Sequence, residues 1–242
     1  IWAPELHKYR GRYYLLLTFD TRHLFAEQWR NWLPRVTRGS QVLAADSVAG
    51  PYLPFANHST LPTDMMTLDG TLWVEDGVPY MVFCHEWVQI KNGTIESIRL
   101  KEDLSATIGE PVRLFNGSDA PWARTSKEHG CNVTDGPYLH VSKSGKLFMI
   151  WTSFSAQGYT VGLAISDSGK LAGPWRQQEE PIYGGGGENG GHGMLFSTFG
   201  GQLMMALHRP NSRAAQPRLF LMEDTGQSLL AVREFVGDQP ID

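Results

Sequence analysis

The chain has 242 residues, 41% hydrophobic and 19% charged, enough apolar side chains for a sizeable core and too many for disorder. Its net charge of −4 comes without a basic block, which argues against a nucleic-acid partner. No apolar run approaches the roughly 20 residues of a membrane-spanning helix.

Cys84 and Cys131 are too few for a disulfide framework and match no zinc spacing, so both are expected to be free and buried. Eight Trp, eight Tyr and eleven Phe supply rings that either fill the core or stack on the apolar faces of sugars. The chain begins at Ile1 rather than Met, so its start reads as a cut and the missing signal peptide says nothing about compartment. Four Asn-x-Ser/Thr sequons, at Asn57, Asn92, Asn116 and Asn132, are of a kind that chance supplies, and nothing rests on them.

In chain order, four stretches share one pattern: a polar or turn cluster, an apolar strand, a tight Gly-containing turn and a more hydrophobic strand. They are "IWAPELHKYRGRYYLLLTFD" at the start, "LDGTLWVEDGVPYMVFCHEW" from Leu68, "TDGPYLHVSKSGKLFMIWTS" from Thr134 and "GHGMLFSTFGGQLMMALHRPN" from Gly191. Counted from Trp2, Leu68, Thr134 and Gly191, the steps are about 66, 66 and 57 residues. Within each step the period-2 pattern recurs about four times. The second unit reads as "TLWVED", "VPYMVFCHEW", "IESIRL" and "EPVRLF"; the third as "PYLHVS", "KLFMIWTSF", "YTVGLAIS" and the stretch near "GPWRQQ". Turns such as "KNGT", "KSGK" and "FGGQ" separate the strands. "HLFAEQWRNWL" at 23–33 is the best helical candidate and stays ambiguous.

Repeated four-stranded units are the signature of propeller blades, so the expected fold is all-β with blades over about 1–66, 67–132, 133–189 and 190–242. In a blade the start of strand one and the end of strand two lie on the same face. That rule gathers Trp2, Glu5, Asp69, Asp135 and His192 from the first strands. From the second strands it gathers His85, Glu86, Trp87, Ser153, Phe154, His208 and Arg209. Acids, imidazoles, aromatic faces and a guanidinium at one mouth suit a sugar. Each residue also has a plainer reading. Asp-Gly is a common turn dipeptide, Glu86 is an acid at a strand end, and Arg209 is a blade-interface cation. Trp29, Trp32 and Trp122 either rim the mouth or pack, and Glu188 reads as a solvated loop acid.

At this point the chain resembles glycoside hydrolase family 43, the five-bladed propeller hydrolases of arabinose-, xylose- and galactose-containing glycans. "WAPE" at 2–5, "LDG" at 68–70, "DGPYL" at 135–139 and "GHGMLF" at 191–196 stand in the family's order, about a blade apart. The resemblance implies that Asp69 tunes the general acid's ionisation and that Asp135 occupies the position of that acid, where the family usually has Glu. It implies that His192 reaches a central channel where many members hold calcium or another ion, with no organic cofactor. Glu86 is the alternative acid. Trp2 and Trp87 are the sugar platform, with His85, Phe154, His208 and Arg209 as further substrate contacts. The family inverts configuration, one carboxylic acid protonating the leaving oxygen while a carboxylate activates water across a gap of about 6.5–9.5 Å.

Two departures stand out. The family's general base is an Asp in a first blade upstream of "WAPE", and no such segment occurs in these residues. Asp135 is also one methylene shorter than Glu. The activity implied is removal of terminal α-L-arabinofuranosyl or β-D-xylosyl units, with β-galactofuranosidase or galactanase activity as a variant. A non-catalytic carbohydrate-binding propeller is the alternative. Fructan-active five-bladed enzymes resemble the chain less, because neither their Arg-Asp-Pro nor their Glu-Cys motif is present. An oligo- or polysaccharide partner, a monomer, and a secreted or periplasmic location complete these expectations.

Overall fold

The computed structural model of the chain describes residues 1–24, 36–184 and 189–237. Among these residues sixteen strands form four sheets, each a meander whose strands follow one another in space as in sequence. The first sheet contains β1 (Trp2–Tyr9), β2 (Arg12–Leu24), β3 (Val36–Ala45) and β4 (Leu53–Pro54). The second contains β5 (Thr67–Glu75), β6 (Val78–His85), β7 (Thr94–Leu100) and β8 (Thr107–Asn116). The third contains β9 (Asp135–Val141), β10 (Leu147–Ser155), β11 (Gly158–Ser166) and β12 (Trp175–Gln177). The fourth contains β13 (Gly191–Ser197), β14 (Leu203–Arg209), β15 (Gln216–Asp224) and β16 (Leu229–Phe235). These are blades of a β-propeller, as the repeat predicts. His23 and Leu24 of the helical candidate close β2; the rest of it, with Trp29, Trp32 and Glu188, lies outside the described residues.

Two compact units divide the chain, one from Ile1 to Asn116 with the first two blades and one from Gly117 onward with the other two. Each has its own core. In the first, Tyr14 and Leu16 of β2 and Val42 of β3 pack with Met81 and Phe83 of β6 and Ile98 of β7. In the second, Phe148 and Ile150 of β10 and Val161 and Leu163 of β11 pack with Leu195 of β13 and Met205 of β14. Middle strands such as β10 and β11 are buried almost throughout, because both their faces are covered. The outer strand β8 is mostly exposed. Each large core side chain contributes about 1.5–3 kcal/mol by leaving water.

Both cysteines are free and buried, as expected. Trp122 packs rather than lining a rim. Its ring meets Trp151 at 4.9 Å and covers Gly162, where a Cβ would stand 2.0 Å from the indole. Only a glycine leaves room for that crossing.

One irregularity recurs in all four blades. Between Trp2 and Glu5, Leu68 and Thr71, Asp135 and Tyr138, and Gly191 and Met194, the inner strand has one more residue than its partner. Each is a β-bulge, a device common beside functional sites because it re-aims side chains. In every case the residue after the first takes a left-handed conformation: Ala3 at φ 39°, Asp69 at 57°, Gly136 at 50° and His192 at 56°. The third unit therefore starts at Asp135, not at Thr134. Asp69 and Asp135 are not equivalent by position: Asp69 is the left-handed residue of its bulge, and Asp135 immediately precedes that of the next.

Candidate active site

In the first unit the bulge places Asp69 where its N–H donates to the buried hydroxyl of Thr18 on β2, at 2.9 Å. Gly70 follows so closely over Met81 that a Cβ would come within 2.7 Å of its sulfur. Asp tolerates the left-handed region better than most residues, but the conformation still costs about 1–2 kcal/mol. Strain of this kind collects at functional positions.

Trp2, 50% exposed, is held from beneath and from the side. The Arg38 guanidinium lies 4.4 Å from its ring centroid, and its indole N–H donates to Asp20 Oδ2 at 3.1 Å. Arg38 Nε donates to Asp20 Oδ1 at 2.7 Å and Nη1 to Glu86 Oε1 at 2.5 Å. Burial works against the Asp20 charge, but the Arg38 hydrogen bond and charge, with the Trp2 N–H, outweigh it and hold the carboxyl below its ordinary range. Glu86 is buried, with its side chain 5% exposed. A carboxylate bonded to a buried guanidinium serves as a counter-ion, which is poor employment for a proton donor.

His85 Nε2 donates to Gln89 Oε1 at 2.7 Å. That direction follows from the amide, whose Oε1 already accepts the Met66 N–H and whose nitrogen donates to Asp64 O. The other ring nitrogen lies 3.4 Å from Glu96, which also accepts from Thr94 Oγ1 at 2.6 Å. Burial opposes the Glu96 charge, yet His85, Thr94 and Arg113 together lower its ionisation range. Trp87 opens a short helix, α1 (Trp87–Ile90), and packs half-buried against Met66 and Val88. Glu5, expected at the mouth, is bonded to His7 at 2.6 Å.

In the second unit Asp135 opens β9 opposite Thr152. The buried phenol of Tyr159 donates to Asp135 Oδ2 at 2.7 Å. Tyr159 is stacked on His208, 5.5 Å between centroids at 28°, with Phe154 tilted against it at 5.1 Å. Its backbone is fixed by Asn189, whose Oδ1 accepts the Tyr159 N–H at 2.8 Å. His208 is in turn bonded to Asn211 at 3.1 Å. His192 donates its backbone N–H to Thr152 Oγ1 at 2.9 Å, as Asp69 does to Thr18, and its ring lies over Gly136. A Cβ at Gly136 would stand 2.7 Å from His192 Cδ2.

Asp135, Phe154 and His208 therefore form one cluster, through a tyrosine that the strand-start rule did not select. Ser153 is buried and donates to Val133 O at 2.6 Å. Arg209 donates to Glu234 of its own blade at 2.7 Å, packs over Phe220, and lies 3.4 Å from the hydroxyl of Tyr183, which is bridged to Val161 of the blade before. This is the blade-interface reading of that residue. Arg38 and Tyr159 were missed because strand three starts where strand two ends, so Arg38 pairs with Asp20 and Tyr159 with Phe154. Asp20 lies on strand two itself, where the rule drew no residue from the first blade.

Among the described residues no group of three or more His, Cys, Asp or Glu is arranged to hold a metal. Calcium takes six to eight oxygen ligands, so His192 alone does not make a calcium site.

The family model "Glycosyl hydrolases family 43" matches residues 1–226. The chain is 26% identical over 188 residues to the alpha-L-arabinofuranosidase B of Pyricularia oryzae, covering 76% of this chain and 36% of that protein. It is 23% identical to an extracellular exo-alpha-(1->5)-L-arabinofuranosidase of Streptomyces avermitilis, covering 82% of this chain and 39% of the relative. Among solved structures, the endo-arabinase of Bacteroides thetaiotaomicron matches with a TM-score of 0.81 at 37% identity, over 92% of this chain and 75% of that one. The chain thus spans a little over a third of the length of these curated relatives. With the match running through all four blades, the chain belongs to glycosyl hydrolase family 43.

Proposed function

We propose that the protein carrying this chain is an inverting glycoside hydrolase that releases terminal α-L-arabinofuranosyl units from arabinan-type glycans, with Asp135 as general acid and Asp69 as the carboxylate that tunes it. The observation that carries this reading is the placement of both carboxylates at the inner-strand bulges of successive blades in a family 43 chain. Trp2 supplies the sugar platform, its indole fixed at both ring face and N–H while half its surface stays open. The arabinofuranosidase relatives and the endo-arabinase favour arabinose over xylose. Likeness to the endo-arabinase at 37% identity supports a second reading, cleavage within the arabinan chain.

Calcium near His192, through oxygens supplied by water, remains part of the proposal. The general base stays with a segment the resemblance puts ahead of Trp2. Secretion fits the relative described as extracellular, and a monomer is expected. No described helix is long and apolar enough to cross a membrane.

The test uses the full-length protein on aryl α-L-arabinofuranoside, aryl β-D-xyloside and debranched arabinan, with the anomer of the first product followed by NMR. Arabinose released with inverted configuration supports the reading, and arabino-oligosaccharides favour the endo alternative. Binding of arabinan without turnover of any of the three identifies a carbohydrate-binding propeller instead.

A further inference from the structure

Asp135 is one methylene shorter than the acid usual at its position, yet its carboxyl group is not left to find its own orientation. Tyr159 is 4% exposed and its hydroxyl ends on Asp135 Oδ2 at 2.7 Å. The ring is stacked on His208 and meets the tilted ring of Phe154. Gly191 lets the ring edge approach, since a Cβ there would come within 2.7 Å of Tyr159 Cε1. The Tyr159 N–H is fixed on Asn189 Oδ1, and its carbonyl accepts the Gly190 N–H at 3.2 Å. A buried phenol held at backbone and ring is a rigid donor, and its one hydrogen is aimed at the acid.

We propose that Tyr159 is a positioning residue for general-acid catalysis: by committing Oδ2 of Asp135 to its phenol, it places the transferable proton on Oδ1 and sets the pH at which that proton is lost. The inference rests on Asp135 being the acid. A protonated carboxyl accepts through its carbonyl oxygen, so the phenol bond is compatible with the acid form, and it strengthens when the group ionises. Tyr159 therefore favours the carboxylate, and its phenol sets where the alkaline limb of the rate profile falls. Among the described residues, titratable groups packed against this cluster within the unit include His208 of β14, stacked on Tyr159, and His192 of β13, over Gly136.

Tyr159→Phe keeps the ring, its stacking and its backbone bonds, and removes one hydroxyl. In the full-length protein the alkaline limb of kcat/KM is expected to move up by about one pH unit, since the carboxylate loses a hydrogen bond. Turnover should fall about tenfold or more on substrates with poor leaving groups and little on activated aryl glycosides, which barely need protonation. Tyr159→Leu, which also removes the stacking, should lower the melting temperature and shift the limb equally. An unmoved limb in Tyr159→Phe, with an unchanged dependence on leaving group, overturns the proposal. Asp135→Asn separates that failure from failure of the underlying reading: if it too lacks leaving-group dependence, Asp135 is not the acid. If only Asp135→Asn shows that dependence, the acid stands and the positioning role of Tyr159 falls.

Discussion

Substituting Gly136 with alanine tests whether the bulge matters for the site or only for the sheet. Gly136 has φ 50°, and an L residue in that region costs about 1–2 kcal/mol. The added Cβ would stand 2.7 Å from His192 Cδ2, 2.9 Å from Cγ and 3.1 Å from Cα. Ordinary carbon contacts begin near 3.5 Å, so ring and backbone must separate by roughly 0.5–1 Å. Because Cα of His192 is among the atoms met, turning the ring does not relieve the contact. The shift reaches His192 directly and Asp135 through one peptide bond. A displacement of that size beside reacting groups can cost about 100-fold. Gly136→Ala in the full-length protein is therefore expected to lose about 2–3 kcal/mol in chemical denaturation and about two orders of magnitude in kcat/KM. Ala3 is the internal control, since it takes the same left-handed conformation at the equivalent bulge with a Cβ in place. Backbone strain alone is thus tolerable in this fold, and the His192 contact makes the difference. Activity within twofold of the parent, with stability lost, would refute the reasoning and reduce the bulge to a structural detail.

Glu86→Gln should mainly destabilise, by about 2–4 kcal/mol in urea, because it leaves the Arg38 charge partly uncompensated in a buried setting; a selective loss on poor leaving groups would instead make Glu86 the acid. Asp224 is bonded by His140 at 2.9 Å and by the N–H groups of Lys143 and Gly226. Burial works against its charge, but these bonds outweigh it and hold its ionisation below the ordinary range. Its stabilising effect is therefore present above the ordinary Asp value near 3.8 and is lost as pH falls through the lower folded value. Asp224→Asn should lower the melting temperature at neutral pH and flatten the acid side of the stability curve; equal losses at pH 7 and below pH 3 would contradict this. Exhaustive chelation should reduce activity, with recovery on adding calcium, if His192 serves an ion through waters. Unchanged activity after chelation would remove calcium from the proposal.

The strands were legible because covered middle strands such as "KLFMIWTSF" stay apolar while turn dipeptides mark their ends. The short helix at Trp87–Ile90 was not, since four residues show no helical period. The bulge positions were legible to within one residue. "LDG" and "TDG" look alike, but the bulge is defined by pairing with the second strand, which local sequence does not display, so the motif sets Asp69 and Asp135 at one position and the pairing sets them one residue apart. Tyr159 and Arg38 escaped because a rule built on strands one and two ignored the strand that returns beside them. Arg209 looked like a sugar ligand from its place at a strand end; its partner Glu234 lies far along the chain. Trp2 was legible as an exposed ring at a strand start, though not the guanidinium beneath it.

Thr18 and Thr152, each facing the first residue of its own blade's inner strand, accept the left-handed N–H of the blade that follows. The hydroxyl that seats Asp69 thus belongs to β2, and the one that seats His192 belongs to β10. A blade, the obvious module in sequence, is then the wrong piece to transplant. A chimera joined between β4 and β5, or between β12 and β13, separates a seat from the group it holds, even when every strand is complete. Recombination within family 43 should succeed more often when the second strand of one blade travels with the first strand of the next.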